Sequence, residues 1–201
     1  MTAARSRLVH LPVSEVPAGM AVRPASAQED APLVRDWLNA EHAKNFWRLH
    51  TDRDGEGAYS VAVVREYLRA FAENRGESAW IGELDGAPAS YWETYEVASS
   101  PLAGEPELSD RDRGIHVLIG STRYVGRGLG PRLLAAMAAW QFAEYPVAAR
   151  VVAEPDVRNE RAVRAFQRAG FRQARTVDLE RKRAALMIHD RRPPTQEPQD
   201  P

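Results

Sequence analysis

Apolar and polar residues recur along the chain with two spacings, one typical of helices and the other of strands. Between residues 61 and 74 the apolar positions lie three or four apart, which predicts an amphipathic helix. Short apolar runs at 114–119 and 148–153 predict buried strands. Because helical and strand patterns alternate along the chain, the sequence predicts an α/β (α+β) domain built around one sheet.

The predicted elements follow the order β-α-α-β-β-β-α-β-α-β-β. Ser26, with Glu29 three residues later, forms a capping box that predicts the start of the first helix. Asp85-Gly86 separates two strand patterns and favours a tight hairpin turn. Two long stretches without regular pattern, 42–60 and the acidic 96–113, are predicted to be loops, and loops of this length are usually functional or mobile. The predicted helices are 29–39, 61–74, 131–143 and 160–168, and the predicted strands are 20–23, 78–83, 87–95, 114–119, 148–153, 171–178 and 184–188.

Both ends of the chain are predicted to be tails. Residues 1–18 show no sustained periodicity, and residues 191–201 are too polar and too rich in proline to pack, which predicts a disordered C-terminal tail. No internal repeat or linker divides the part between them. The sequence therefore predicts a single domain at 19–190, long enough to bury a core without cross-links.

The amino-acid composition excludes several classes of binding partner and of chemistry. The chain has 27 basic and 28 acidic residues and a net charge of −1, which gives no electrostatic footprint for nucleic acid or an anionic membrane. It has no cysteine, which excludes disulfides, a cysteine nucleophile and thiolate metal sites. No signal peptide or membrane span is recognisable, so we expect a cytoplasmic protein. No metal is expected, since His42 and His50 lack a third ligand at a diagnostic spacing.

A glycine-rich turn joins a predicted strand to the predicted helix at 131–143. Gly128 and Gly130 would let the backbone approach a ligand closely, and the N–H groups of the helix start favour phosphate. The turn is not a Walker A loop, and Pro131 stands where a dinucleotide-binding motif would have its third glycine. Nearby arginines could add charge-assisted bonds to a phosphate; they are Arg123, Arg127 and Arg132. The turn predicts either a phosphate site or a simple connection.

A second motif, N-x-x-A-x-x-x-F-x-x-x-G-F, begins at Asn159. Asn159 is a favourable N-cap, and Gly170 is a favourable stop signal, so the motif predicts a short helix closed at both ends. Phe166 lies on the same helical face as Ala162. Taken alone, the motif could be purely architectural.

Together the two motifs resemble the Gcn5-related N-acetyltransferase (GNAT) superfamily. The resemblance implies a mixed central sheet with a splayed strand pair, helices on both faces, and acetyl-CoA or another acyl-CoA as co-substrate. Two positions depart from the family pattern: Val125 replaces a glutamine or arginine, and Phe166 replaces a tyrosine proposed as general acid. By resemblance, the pantetheine arm would contact Val117, Leu118 and Ile119, the diphosphate would be held by Arg127, Gly128, Leu129, Gly130 and Arg132, and Asn159 and Phe166 would lie beside the thioester.

A narrower resemblance, over 22–190, is to the siderophore-biosynthesis acyltransferases of this superfamily, such as those of mycobactin and aerobactin assembly. The motifs that carry it are Gly114-Ile115-His116, the run from Glu154 to Asn159, Phe46-Trp47, Trp92-Glu93-x-Tyr95, and the ending at 182–192. It implies acylation of the terminal hydroxylamine of N6-hydroxylysine or a related hydroxy-diamine, from acyl-CoA or an acyl carrier protein. It also implies that His116 and Asp156 are catalytic and that the substrate side includes Trp47, Trp92, Glu93 and Tyr95.

The chemistry of amine acylation suits these two positions. A histidine transfers protons near neutral pH, so His116 would act as general base or position the nucleophile, and Asp156 would hold or deprotonate it. Two simpler interpretations stay open: His116 as a hydrogen-bonded core residue and Asp156 as a turn residue. Two other functions also stay open. One is an aminoglycoside N-acetyltransferase, for which the acidic loop 96–113 would line the cleft, and the other is a non-catalytic acyl-CoA-binding module.

Overall fold

The computed structural model describes residues 9–10, 19–47, 49, 58–74 and 76–191. Within this part of the chain, helices and strands follow the predicted order, with one additional short strand at the start. The strands are β1 (Val9–His10), β2 (Met20–Pro24), β3 (Glu77–Leu84), β4 (Ala87–Glu96), β5 (Arg113–Ile119), β6 (Arg150–Ala153), β7 (Arg172–Leu179) and β8 (Lys182–Asp190), and the α-helices are α1 (Ala31–Asn39), α2 (Val61–Glu73), α3 (Leu129–Glu144) and α4 (Glu160–Arg168).

The strands form one mixed sheet in the order β1-β2-β3-β4-β5-β6-β8-β7. All neighbouring strands are antiparallel except β5 and β6, which are parallel. Helices α1 and α2 bury their apolar sides on one face of the sheet, and α3 and α4 bury theirs on the other. The predicted fold class is therefore confirmed. None of the helices in the described ranges combines the length and the apolar content that a transmembrane span needs.

The sheet is interrupted between β5 and β6. The two strands pair only at Arg113 with Val151 and at Gly114 with Val152. Beyond these two pairs β5 continues to Ile119 without a partner strand on this side. Apart from the Ile119 carbonyl, which lies 2.7 Å from Nε2 of His42, backbone groups on that edge of β5 are therefore available to a ligand, because a strand edge carries N–H and C=O groups that need partners.

The base of this gap is held by a buried carboxylate that directly precedes β5. Asp112 has no exposed surface, and its Oδ1 accepts the backbone N–H groups of Ala149 (3.1 Å) and Arg150 (2.9 Å). Its Oδ2 accepts the N–H of Ser109 at 2.9 Å. One side chain thus ties the loop before β5 to the start of β6, at the point where the two strands are still paired.

The ends of the domain differ from the predicted boundaries. Strand β1 lies inside the predicted N-terminal tail and pairs with β2 at the edge of the sheet. Arg191, predicted as the first residue of the C-terminal tail, instead belongs to the domain, because its guanidinium donates to the carbonyl groups of Phe142, Tyr145 and Ala148. The other residues of both predicted tails lie outside the described part of the chain.

Candidate active site

A cavity of about 520 Å³ opens where β5 and β6 separate. The end of β5 forms one wall, and the segment that follows β6 forms the opposite wall. The turn before α3, one face of α4 and the segment between α1 and α2 close the other sides. The lining residues from these elements are 42–43, 46–47, 115–119, 124–126, 128, 130–131, 153–156, 159, 161–162, 164–166 and 168.

The turn before α3 has the backbone conformation of an anion-binding site. Gly126 and Gly128 adopt φ angles of +78° and +72°, which residues with a side chain rarely adopt. Gly128 is also the N-cap of α3, so no side chain caps the helix. Backbone N–H groups at the start of α3 are therefore available to an anion, and the helix dipole favours a negative charge there. The turn thus fits the diphosphate of an acyl-CoA.

This geometry predicts different outcomes for two glycine substitutions at positive φ. Gly128→Ala should weaken binding of acyl-CoA, because a left-handed conformation costs a residue with a side chain about 1–2 kcal/mol and the turn would change to relieve it. Gly104→Ala is the matched control, since Gly104 has a similar φ of +82°, does not line the cavity and has no atom within 4 Å of an added Cβ. The KM for acetyl-CoA should rise in the first variant and stay near wild type in the second. Equal KM values in both variants would contradict this.

His116 is held between two buried carboxylates at the wall formed by β5. Its Nδ1 lies 3.0 Å from Oε2 of Glu93, its cross-strand partner on β4, and its Nε2 contacts Oε1 of Glu154, which follows β6. Both carboxylates are at most 6% exposed. Because each ring nitrogen faces a carboxylate, the imidazole is held in the doubly protonated form, in which both nitrogens donate.

Three tyrosines, of which Tyr91 and Tyr95 are buried and Tyr67 is half-buried, hold the remaining oxygens of these carboxylates. Tyr67 and Tyr91 donate their hydroxyl groups to Oε1 of Glu93, and Tyr95 donates its hydroxyl to Oε2 of Glu154. Burial raises the pKa of all three tyrosines, and the neighbouring carboxylate charges raise it further. The tyrosines therefore remain hydrogen-bond donors and keep both carboxylates in a fixed orientation.

The electrostatics of this cluster agree with its hydrogen bonds. Burial lowers the pKa of His116, but the charges and hydrogen bonds of Glu154 and Glu93 outweigh that effect and raise it from 6.5 to about 10. Burial would raise the pKa of Glu154, but His116, with help from Lys182 and Tyr95, lowers it to about 2. At neutral pH the pair is an imidazolium and a carboxylate. This disfavours the predicted role of His116 as proton acceptor and leaves its predicted role in positioning.

Asp156 lines the same cavity and is paired with a cation. Its carboxylate accepts hydrogen bonds from Nη2 of Arg158 at 2.6 Å and from Nε at 3.0 Å, and it also accepts the backbone N–H of Arg158 at 2.8 Å. These hydrogen bonds, the side-chain ones above all, lower the pKa of Asp156 below its usual value. Asp156 is therefore a weak base, better suited to holding a substrate group than to removing a proton.

The cavity brings together most of the predicted site residues. Phe166 contributes a buried ring that packs on Phe171 and has no proton to donate. The ring of Trp47 lies edge-on to that of His116, with centroids 6.0 Å apart. Among the described residues, no group of three His, Asp or Glu side chains could hold a metal ion, and His50 lies outside them. The predicted residues that line the cavity are Trp47, Glu93, His116, Val117, Leu118, Ile119, Gly128, Gly130, Asp156, Asn159 and Phe166.

Other predicted residues are placed elsewhere. Trp92, predicted on the substrate side, is fully buried against the α3–α4 face and donates its Nε1–H to Ser90. Neighbouring residues of a strand point to opposite faces, so Trp92 cannot share a side with Glu93. Tyr95 lies on the correct face but does not line the cavity, and it acts on Glu154 instead. Three predicted diphosphate residues lie on the turn or the first turn of α3 but outside the cavity wall: Arg127, Leu129 and Arg132.

The sequence analysis did not single out three residues of this site. Glu154 was named as part of a motif but was given no role. Tyr67 falls within the predicted helix at 61–74 and Lys182 within the motif at 182–192, and neither was assigned a role. All three line the cavity, and Lys182 Nζ lies 3.8 Å from Oε1 of Glu154. The signal that could have found Glu154 is its place directly after a buried strand, where side chains often carry function.

An acyl thioester of coenzyme A has the two parts that this cavity suits, a diphosphate for the turn and a narrow arm for the gap between the strands. The fold and the cavity therefore define an acyl-CoA-dependent acyltransferase. The family model of the acetyltransferase (GNAT) domain matches residues 26–179 of this chain. The chain thus belongs to the GNAT acetyltransferases.

Known relatives include two kinds of N-acyltransferase. Lysine N-acyltransferase MbtK of Mycobacterium sp. (strain MCS) is 31% identical, over 91% of this chain and 71% of its own length. Aminoglycoside N(6′)-acetyltransferase type 1 of Klebsiella pneumoniae is 29% identical, over 82% of this chain and 80% of its own. The crystal structure of aminoglycoside acetyltransferase AAC(6′)-Ib with coenzyme A and kanamycin matches with a TM-score of 0.71 and 25% identity, covering 86% of this chain and 95% of that one. The two kinds are about equally similar to this chain.

Proposed function

We propose that this acyl-CoA-dependent N-acyltransferase acylates the terminal hydroxylamine of N6-hydroxylysine, or of a related hydroxy-diamine, in hydroxamate siderophore biosynthesis. One observation carries the proposal: both predicted proton acceptors of the cavity, His116 and Asp156, are already engaged with groups of opposite charge. A lysine amine, with a pKa of about 10.4, arrives protonated and must lose a proton before it attacks. A hydroxylamine is less basic and arrives neutral. The similarity to a lysine N-acyltransferase supports the same class of acceptor.

Under this proposal the chain orients the two substrates and stabilises the negative charge that develops on the thioester oxygen. The start of α3 binds the diphosphate of the donor, and the free edge of β5 holds its arm, with backbone N–H groups facing the thioester oxygen. The His116 imidazolium lies on the acceptor side, beside Trp47, and orients the nucleophile. As the C–N bond forms and the C–S bond breaks, the nitrogen loses one proton and the leaving thiolate gains one. Phe166 has no proton to donate, so in this proposal the proton from the nitrogen passes to solvent and solvent protonates the thiolate.

The acceptor can be identified from the pH dependence of thiol release. With N6-hydroxylysine, kcat/KM should change little between about pH 7 and 9, because the acceptor is already neutral there. With lysine, kcat/KM should be far lower at neutral pH and rise about tenfold per pH unit, following the free-amine fraction. N-hydroxycadaverine and kanamycin serve as parallel acceptors. A strong preference for lysine, or a steep rise of kcat/KM with hydroxylysine between pH 7 and 9, would overturn the proposal.

The aminoglycoside acetyltransferases are a second candidate because their sequences are about as similar to this chain as those of the lysine enzymes, and a structure of one of them matches the fold. The acidic loop 96–113, predicted to line the cleft for that function, does not line the cavity, whose acidic residues are Glu93, Glu154 and Asp156 instead. Its Glu105 and Glu107 pair with arginines of β7, and its Leu102 is buried against the far half of the sheet. Turnover with kanamycin alone in the same assay would select this candidate.

A further inference from the structure

One face of α4 presents a row of arginines to the cavity. Arg161, Arg164 and Arg168 are spaced three and four positions apart, so they lie along one side of the helix, and all three line the cavity. We refer to these three residues as the α4 arginine face. They are exposed, and none of them contacts the His116 cluster. No role described above accounts for them.

Most of the positive charge on this face is uncompensated. Arg164 forms an ion pair with Glu160, one turn earlier, at 2.8 Å. Arg161 and Arg168 have no acidic partner among the residues that the structure describes. By contrast, Arg172 and Arg175 of the following strand β7 pair with glutamates. Unpaired guanidinium groups in a concave wall are suited to binding an anion.

The α4 arginine face lies next to the glycine-rich turn. Ala165 belongs to the same side of α4, and its Cβ would lie 3.8 Å from a Cβ placed on Gly130. The two anion-binding features therefore form adjacent walls of one cavity. A donor whose diphosphate sits on the turn and whose arm runs into the gap at β5 must direct its nucleotide outward, past α4.

We propose that the α4 arginine face binds the phosphomonoester on the ribose of coenzyme A, as a second anion site beside the diphosphate-binding turn. This phosphate is joined to the diphosphate by one ribose, so the two groups reach adjacent walls of a cavity. It carries close to two negative charges at neutral pH, and paired guanidinium groups match its oxygens. The proposal rests on acyl-CoA as co-substrate and is independent of the acceptor.

A small anion suits this face better than the surface of a carrier protein. The arginines line a concave cavity rather than a protruding surface, so they can contact a group that lies inside the cavity. A carrier protein would bring a phosphopantetheine arm without the ribose phosphate. The two donors therefore make different demands on Arg161 and Arg168, and the experiment can separate them.

The test measures binding of coenzyme A and of 3′-dephospho-coenzyme A by isothermal titration, without an acceptor. Wild-type protein should bind coenzyme A about tenfold more tightly than the dephospho form. In R161Q/R168Q the Kd for coenzyme A should rise about tenfold to meet that of the dephospho form, which should not change. Arg111→Gln is the matched control, because Arg111 is an exposed arginine that does not line the cavity. R161K/R168K, which keeps both charges, should recover part of the difference.

Equal Kd values for the two ligands in wild-type protein would overturn the proposal, and so would a ratio that persists in R161Q/R168Q. If R161Q/R168Q bound coenzyme A as tightly as wild-type protein but bound an acyl carrier protein more weakly, the α4 arginine face would be assigned to a protein donor instead. Thermal unfolding of each variant shows whether it is folded. Because no acceptor is present, failure of the hydroxylamine assay would leave this result unaffected.

Discussion

His116→Ala should lower kcat by about 10²–10³-fold, the effect of removing a fixed charge-stabilising donor from an active site. The substitution leaves Glu93 and Glu154 buried without the cation that lies between them. It also removes the group that, under the proposed function, orients the acceptor beside Trp47. His116→Gln, which keeps one N–H donor but no charge, should lose less activity than the alanine variant. Steady-state kinetics with acetyl-CoA and N6-hydroxylysine measure both, and wild-type turnover in a folded H116A variant would exclude a role in the reaction.

The same cluster has a stability signature in pH. The folded-state pKa of His116 is raised from 6.5 to about 10, so its contribution to stability is complete below pH 6.5 and is lost as pH rises through about 10. The pKa of Glu154 is lowered from 4.5 to about 2, so its contribution is present above pH 4.5 and is lost as pH falls through about 2. The stability difference between wild type and H116A should therefore be largest between pH 4.5 and 6.5 and shrink toward pH 10. A stability difference that stays constant from pH 6.5 to about pH 10 would contradict the assignment of His116 as an imidazolium.

Asp112→Ala should lower the free energy of unfolding by about 3–5 kcal/mol, as expected when one partner of a buried charged network is removed. The N–H groups of Ser109, Ala149 and Arg150 would lose the oxygen atoms that accept them. Because Asp112 ties the start of β5 to β6, the base of the donor-binding gap should loosen as well.

Denaturant unfolding measures this effect, and the chain offers two comparisons. Asp112→Asn keeps one acceptor oxygen and should cost less than alanine. Asp110→Ala, an exposed neighbour that does not line the cavity, should stay within about 0.5 kcal/mol of wild type. Equal losses at positions 110 and 112 would show that the buried hydrogen bonds do not govern the stability of this region.

Local signals predicted helix bounds well where both ends are marked in the sequence. Helix α4 has the predicted bounds, because the Asn159 side chain accepts the N–H of Ala162 and Gly170 takes a positive φ after the last turn. Helix α1 begins at Ala31 rather than at residue 29. Ser26 does accept the N–H of Glu29, but that turn precedes the helix.

The candidate site could be predicted only in part, because strand register is a tertiary property. The glycine-rich turn and the placement of His116 and Asp156 in one cavity followed from local motifs. The pairing of His116 with Glu93 depends on the alignment of β4 with β5, and its contact with Glu154 depends on where β6 diverges. No local pattern encodes either alignment. Strand alternation, in contrast, was available from the sequence and would have separated Trp92 from Glu93 and Tyr95.

The two faces of strand β4 have different roles, and each role limits which substitutions that face can accept. Ser90, Trp92 and Thr94 face the α3–α4 side, where Trp92 is part of the core. Tyr91, Glu93 and Tyr95 face the His116 side. Sequence change in β4 should therefore be restrained with a period of two: folding restrains the even-numbered positions, whereas the odd-numbered ones are restrained by burial and, under the proposed function, by the reaction as well. A lineage that changed its acceptor could vary the polar groups at 91, 93 and 95, but only with side chains that still fill the buried space beside β4.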